Sequence, residues 1–277
     1  MSEQRHVYPE LCIPLICVPA TISNNVPGTD FSIGCDTALN EIVTICDKIK
    51  QSAIGSNRRV FVVETMGGYC GYLASLSGLA AGADQSYIFE EPFTIHDLCD
   101  DIHHLRQKMR GDLKRGILIR NENANEHYST DFLLNLLKEE GKGVFSARSN
   151  VLGHMQQGGV PSPFDRNLGL KLASKSLAHM IKLLEGREAQ SYHIDSPDSA
   201  VVIGMQKKRI CFTSVSFLKS QTDPVHRIPK DQWWMKLRSL MRILAKHETV
   251  YTSEVLKKES SDDDEEEENC QSGGNAN

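Results

Sequence analysis

The chain is organised around the polar loop Ala20-Thr21-Ile22-Ser23-Asn24-Asn25-Val26-Pro27-Gly28-Thr29-Asp30. A short apolar run, residues 11–18, precedes it and is typical of a buried strand. Residues 37–54 follow it, with apolar side chains at helical spacing. The loop itself is rich in residues that turn the chain and carry short hydrogen-bonding groups. Because open α/β sheets bind ligands at the carboxyl ends of their strands, the loop is either a ligand site or a plain connection.

The order of strand, loop and helix recurs immediately. Residues 58–64 are a β-branched, apolar run that predicts a second buried strand. They lead into Met66-Gly67-Gly68 and then into a helix of small residues at 72–83. Two adjacent glycines let backbone N–H groups approach an anion at the start of a helix. They equally suit a tight turn with close packing of the helix on the sheet.

The alternation continues through most of the chain. We predict strands at residues 85–90, 115–122 and from 143, helices at 94–110, 130–140, 164–185 and 230–247, and an antiparallel pair at 200–204 and 209–215. This order predicts an α/β fold with a mostly parallel sheet flanked by helices. The last helix contains both tryptophans, which we expect to anchor the core.

Charge and cysteine content narrow the function classes. The net charge is -5, but the run Asp262–Glu268 alone carries about -7, so the remainder is near neutral and does not indicate nucleic-acid binding. No signal peptide and no run of membrane-spanning length is recognisable, so a cytoplasmic location is expected. The eight cysteines form no CxxC pair, which argues against zinc and favours free thiols.

Composition divides the chain into three parts. Residues 1–10 are polar and predicted to be frayed, residues 11–250 form the folded body, and residues 251–277 are predicted to be a disordered acidic tail. Such a tail either docks a basic partner or is simply solvated.

Four separated segments carry a family resemblance. Residues 21–38, 66–71, 120–122 and 153–166 resemble, in order and spacing, the ATP-dependent 6-phosphofructokinases. The resemblance covers about residues 11–246 and is strongest to the C-terminal half of the animal enzyme. In that enzyme the first half resembles the catalytic unit, and the second half binds the activator fructose 2,6-bisphosphate. The resemblance implies an allosteric glycolytic kinase, of which this chain is an incomplete, N-terminally truncated half-domain with the phosphofructokinase fold.

The chain departs from the catalytic pattern of this family. Active members carry Thr-Ile-Asp-Asn-Asp, whereas this chain has Ser23 and Asn25 in place of the two carboxylates. They also carry arginine where this chain has Gly68 and Gln157, and the family's Gly-Gly-Asp-Gly-Ser nucleotide loop is missing. Phosphoryl transfer requires a base near the hydroxyl and acidic Mg²⁺ ligands. We therefore expect no catalytic or metal-binding residue here, and assign ATP and Mg²⁺ to the missing catalytic half of the intact enzyme.

What remains is a set of groups suited to a phosphorylated sugar. Hydroxyls and amides can bind sugar hydroxyls, and guanidinium groups bind phosphate oxygens in bidentate fashion. The resemblance implies that fructose 2,6-bisphosphate binds to Thr21, Ile22, Ser23, Asn24, Asn25, Arg59, Met66, Gly67, Gly68, Glu122, Arg148, His154, Met155, Gln156, Gln157 and Arg227.

Plainer roles exist for several of these residues. Arg59 can simply flank a strand, His154 can be a turn histidine, and Arg227 can pair with a nearby carboxylate. Arg166 is expected to be structural, pairing near Asp165.

The resemblance also implies partners, and it leaves rival functions open. The partners are fructose 2,6-bisphosphate and other phosphofructokinase subunits in a homo- or hetero-tetramer, with no nucleic acid and no membrane span. One rival is that the chain is itself a kinase. Another is an interaction module that assembles with full-length subunits through an exposed sheet edge.

Overall fold

The computed structural model describes residues 4–5, 7–54, 58–111, 113–185 and 196–245, so the acidic tail predicted from the sequence lies outside the described residues. The strands are β1 (Leu15–Cys17), β2 (Arg59–Thr65), β3 (Gln85–Tyr87), β4 (Arg115–Asn121), β5 (Ser146–Val151), β6 (Ala200–Gln206), β7 (Arg209–Ser214), β8 (Thr222–Asp223) and β9 (Ile228–Pro229). The helices are α1 (Cys35–Ile54), α2 (Tyr72–Ala81), α3 (Ile95–Arg110), α4 (Thr130–Glu140), α5 (Pro163–Leu184), α6 (Val215–Ser220) and α7 (Arg238–Leu244).

The central sheet has four parallel strands in the order β3-β4-β2-β5. The interior of β2 is apolar on both faces, which is the pattern of a strand covered by helices on both sides. One face, with Phe61 and Val63, packs against α1 and α2. The opposite face, with Val60 and Val62, packs against α3 and α4. This arrangement confirms the predicted α/β fold with a mostly parallel sheet flanked by helices.

A second, smaller sheet contains β1, β6 and β7. Strand β1 runs parallel to β6, and β6 runs antiparallel to β7, as the sequence predicts for the last two. Helix α5 contributes Leu168 and Leu172 to a core cluster with Ile203 of β6. The short ribbon β8–β9 and helix α6 were not predicted, because elements of two to six residues are too short to show a hydrophobic period.

The predicted helix at residues 230–247 is shorter and irregular. A 3₁₀ turn at Trp233–Leu237 comes first, and α7 then ends at Leu244. Trp234 is buried as expected, whereas Trp233 is half-buried and donates from Nε1 to the Asp30 carbonyl at 2.9 Å. Arg238, at the start of α7, donates to Ser75 Oγ and the Ser86 carbonyl, both at 2.8 Å. These tertiary contacts determine the path of the segment.

The N-terminal segment is partly attached to the fold. The sequence predicts fraying over residues 1–10, yet Arg5 is only 7% exposed. Its guanidinium donates to Ser199 Oγ and to the Ile13 carbonyl, each at 2.5 Å. Among the described helices, none has both the length and the apolar character needed to cross a bilayer.

We expect the central sheet to determine stability. Replacing Leu118 with alanine in β4 should lower the free energy of unfolding by about 2–5 kcal/mol, because the side chain is 1% exposed and leaves a cavity. Leu177→Ala in α5 is the matched control, since that leucine is 63% exposed and should change the value by less than about 0.5 kcal/mol. Urea unfolding monitored by circular dichroism measures both. Equal losses in the two variants would contradict this ranking.

Candidate functional site

Three loops meet at the carboxyl edge of the central sheet. Met66-Gly67-Gly68 follows β2, Glu122 follows β4, and a 3₁₀ turn at Gly153–Gln157 follows β5. Because these neighbouring strands are parallel, the loops after them lie side by side.

Glu122 is bound directly to the glycine loop. Its Oε1 accepts from Gly67 N at 3.1 Å and from Gly68 N at 2.8 Å. Both glycines have positive φ, +139° and +61°, which places their two N–H groups on one oxygen. The donors that the sequence offered to a phosphate therefore already bind a carboxylate. The other carboxylate oxygen, Oε2, accepts no hydrogen bond within the described part of the chain.

Gln156 fixes the third loop to the first. It is fully buried, and its Oε1 accepts from Met66 N at 3.1 Å while its Nε2 donates to the Gly153 carbonyl at 2.7 Å. The side chain therefore holds the loops together. Its neighbours His154, Met155 and Gln157 are exposed beside it.

The polar loop at residues 20–30 is partly closed on itself. Asn24 is buried with φ of +52°, donates to the Asp30 carbonyl and accepts from Ser32 N, both at 2.7 Å. Thr21 Oγ1 accepts from Ser23 N at 3.2 Å. Asn24 therefore shapes the loop.

Asn25 connects this loop to the turn between β8 and β9. Its Nδ2 donates to the Arg227 carbonyl at 3.0 Å. Arg227 is exposed, and its guanidinium makes no hydrogen bond or ion pair with other described residues. The backbone of a residue with a free cationic side chain is therefore held next to the Ser23–Asn25 segment.

A hollow of about 470 Å³ lies between the loop at residues 20–30 and the turn after β5, with Ile22 and Gln157 both in its wall. Asp165, at the start of α5, accepts from Gly34 N and Thr37 N at 2.9 Å and so fixes the beginning of α1. Arg166 donates to the Pro161 carbonyl at 3.0 Å, so the pairing expected near Asp165 is wrong. Asp165 binds α1 instead.

Arg59 and Arg148 lie away from these loops. Arg59 begins β2, about 20 Å before its end at a rise of roughly 3.3 Å per residue. Arg148 is in register with Phe61, which is about 16 Å before Met66 by the same rise. Both project from the face that carries Phe61, because alternate residues of a strand share a face. The structure therefore brings the other fourteen nominated residues to one edge of the sheet and leaves these two out.

A comparison with protein families decides the identity. Residues 1–180 match the family model described as "Phosphofructokinase". The chain belongs to the phosphofructokinase family. Among curated proteins, it is 58% identical over 249 residues to the ATP-dependent 6-phosphofructokinase, muscle type, of Homo sapiens, covering 90% of this chain and 32% of that protein. The chain therefore spans about a third of the length of the curated relatives that it matches.

Solved phosphofructokinase structures share the fold. The enzyme from Saccharomyces cerevisiae superposes with a TM-score of 0.83 at 36% identity, over 88% of this chain and 32% of that one. The Pichia pastoris phosphofructokinase in the T-state gives a TM-score of 0.79 at 34% identity, over 89% and 29% of the two chains.

Sequence reasoning about this phosphofructokinase chain missed Arg120. The guanidinium is 3% exposed and donates to the carbonyls of Asn121, Glu122, Asn125 and Tyr128 at 2.8–3.0 Å. Burial lowers the pKa of this arginine, and Glu64 at 3.5 Å opposes the shift. Arg120 thereby fixes the segment that presents Glu122. The signal was an arginine after the apolar run Ile117-Leu118-Ile119 in a buried strand.

We expect the phosphofructokinase glycine loop to reject a side chain at Gly67. A Cβ there would lie 2.5 Å from the Cys70 carbonyl oxygen and 2.9 Å from Asn121 Nδ2, at a φ of +139°. Gly67→Ala should therefore lower the free energy of unfolding by about 2–5 kcal/mol. Gly143→Ala is the control, with positive φ but no atom within 4 Å, and should cost about 1–2 kcal/mol. Chemical denaturation measures the free energy of unfolding of both variants. Equal losses would contradict the steric conflict between a Cβ at Gly67 and the Cys70 carbonyl oxygen.

Proposed function

We propose that this chain is the effector-binding part of a 6-phosphofructokinase, that it binds fructose 2,6-bisphosphate, and that it does not transfer phosphate by itself. The observation that supports this is the hydrogen bond from Asn25 to the Arg227 carbonyl. It fixes the backbone of Arg227, whose exposed guanidinium has no other partner among the described residues, beside Ser23 and Asn25, where active members of the family carry carboxylates.

The charges at this position favour binding an anion. Ser23 and Asn25 are neutral, so they do not repel a phosphate that approaches Arg227. Guanidinium–phosphate pairs combine charge with two parallel hydrogen bonds. The free Oε2 of Glu122 and the exposed polar side chains of His154 and Gln157 are suited to the sugar hydroxyls.

The same residues fit phosphoryl transfer poorly. A hydroxyl nucleophile needs a base, and neither serine nor asparagine accepts a proton near neutral pH. An amide is also a weaker Mg²⁺ ligand than a carboxylate. ATP and Mg²⁺ are therefore proposed for the intact enzyme, in its catalytic half, and no step of this chain's function passes through them.

Arg59 and Arg148 fit the proposal only if their side chains contribute to the ligand site of a second subunit. Strand β5, which carries Arg148, is the last strand of the central sheet, and Arg148 is exposed. Arg59 Nε is buried without a hydrogen-bond partner among the described residues, which is uncommon for a buried polar atom. The exposure of Arg148 on an edge strand is consistent with a partner from another phosphofructokinase subunit, whereas the Nε of Arg59 is already covered by this chain. Binding across such an interface would shift the quaternary equilibrium toward the active state by differential affinity.

Calorimetric titration of the 277-residue chain tests the binding proposal. Fructose 2,6-bisphosphate should bind and ATP should not. Arg227→Ala should weaken binding by roughly 10- to 100-fold, since a charge-assisted hydrogen bond is worth about 1.5–3 kcal/mol. Arg209→Ala, an exposed arginine at the start of β7, is the matched control and should change nothing.

Three results would contradict the proposal. Equal losses in the Arg227 and Arg209 variants would show a non-specific charge effect. Turnover of ATP with fructose 6-phosphate by the purified chain would show a kinase. If the chain binds no bisphosphate but co-purifies with intact enzyme, the interaction module is favoured. The exposed Val151 on edge strand β5 supports this alternative, because an open strand edge can pair with another chain.

Mixing two defective variants tests the contribution across subunits. Arg148→Ala and Arg227→Ala should each bind weakly alone. Suppose that each site combines Arg227 of one subunit with Arg148 of another. When equal amounts of the two variants exchange subunits, about half of the dimers contain one copy of each, and one of the two sites in such a dimer has both arginines. About a quarter of all sites should therefore regain full affinity. Titration stoichiometry after mixing measures this fraction. No recovery would mean that the two arginines do not serve one site from different subunits.

A further inference from the structure

Three aromatic rings connect the turn that carries Arg227 to the glycine loop. The His226 ring centroid lies 4.5 Å from that of Phe89 and 4.9 Å from that of Tyr69, and the last two are 4.9 Å apart. These distances and tilted or edge-on geometries are those in which aromatic pairs attract. Because Tyr69 directly follows Gly68, the ring cluster of Tyr69, Phe89 and His226 bridges the two loops.

Asp223 fixes the position of the histidine within this ring cluster. Its Oδ2 lies 2.6 Å from His226 Nδ1, and its Oδ1 accepts from Val225 N at 2.9 Å. The hydrogen bond with His226 lowers the pKa of the Asp223 carboxyl. The backbone carbonyl of Asp223 also accepts from Arg227 N at 2.9 Å. One aspartate therefore holds both the ring and the residue after it.

The backbone of Arg227 is fixed, while its charge is free. Its φ is +58°, a left-handed conformation that is uncommon outside glycine, and its carbonyl accepts from Asn25. The guanidinium is exposed, with no hydrogen bond or ion pair to other residues that the structure describes. An arginine that only stabilised the turn would use its side chain for contacts within the turn.

We propose that His226 is a positioning residue of the sugar-phosphate site. Its ring, fixed by Asp223 and packed against both Tyr69 and Phe89, sets Arg227 beside the Gly67–Gly68 loop. His226 acts through Arg227 and needs no contact with the ligand. The inference rests on the proposed function, in which Arg227 is the cation that binds phosphate.

A double-mutant cycle tests the inference in the 277-residue chain, with fructose 2,6-bisphosphate as the titrant. His226→Ala should weaken binding by about fivefold or more in the unmodified chain. In the Arg227→Ala background the same change should have less than about a twofold effect, because no cation remains to be positioned. Equal losses in both backgrounds would overturn the inference.

Conservative variants separate positioning from general stability. His226→Phe keeps a ring against Tyr69 and Phe89 but loses the hydrogen bond to Asp223, so it should recover part of the affinity that His226→Ala loses. His179→Ala is the matched control: it removes a histidine stacked on Phe212 at 4.1 Å, away from these loops, and should leave binding unchanged. If His226→Ala does not fold, Asp223→Asn replaces it in the cycle, with the same non-additivity expected. Binding by His226→Phe that is no tighter than binding by His226→Ala, or an equal loss in the His179 variant, would contradict the assignment.

The results also distinguish the inference from the function on which it rests. If the unmodified chain binds no bisphosphate, both are overturned. If it binds, and Arg227→Ala weakens binding while His226→Ala does not, the proposed function stands and only the positioning role is overturned.

Discussion

The parallel pairing of β2 between β4 and β5 is the constraint on which the rest of the structure depends. Parallel strands all end at the same edge, so the loops that follow them must meet there. The same pairing keeps residues near the strand beginnings, such as Arg59, at the other end of the sheet. Hydrogen bonds between the loops then fix their relative positions. Glu122 binds the glycine loop, Gln156 binds Met66, and Asn25 binds the turn that carries Arg227.

The sequence predicted the layout well because its strongest patterns are local. The apolar run of β2 predicts a strand and the spacing of apolar residues in α1 predicts a helix. The alternating order of strands and helices then predicts a parallel sheet. The prediction of secondary structure failed where tertiary contacts determine the path of the chain, as in the segment around Trp233. It also failed where elements are too short to show a hydrophobic period. The sequence could not show that Gln156 and Asn24 make internal hydrogen bonds that shape the loops, and their assignment to ligand binding stays a prediction.

The separation of the basic residues could not be predicted from the sequence either. Any arginine can bind a phosphate, and the residue type alone does not say how far one arginine lies from another or from the loops. The family resemblance united Arg59, Arg148 and Arg227 in one site, whereas the strand register separates the first two from the loops. Burial of Arg120 in a strand likewise became interpretable only with its carbonyl partners in view.

The carboxylate of Glu122 on the two glycine N–H groups has a consequence for ligand orientation. Where many glycine loops present an open nest for an anion, this one already holds a negative charge. A phosphate brought there would meet repulsion, whereas a neutral hydroxyl would find an acceptor. The exposed guanidinium of Arg227 has the opposite preference. A sugar with a phosphate at each end is therefore expected to turn its ring hydroxyls, and neither phosphate, toward Glu122, with one of the phosphates toward the arginine.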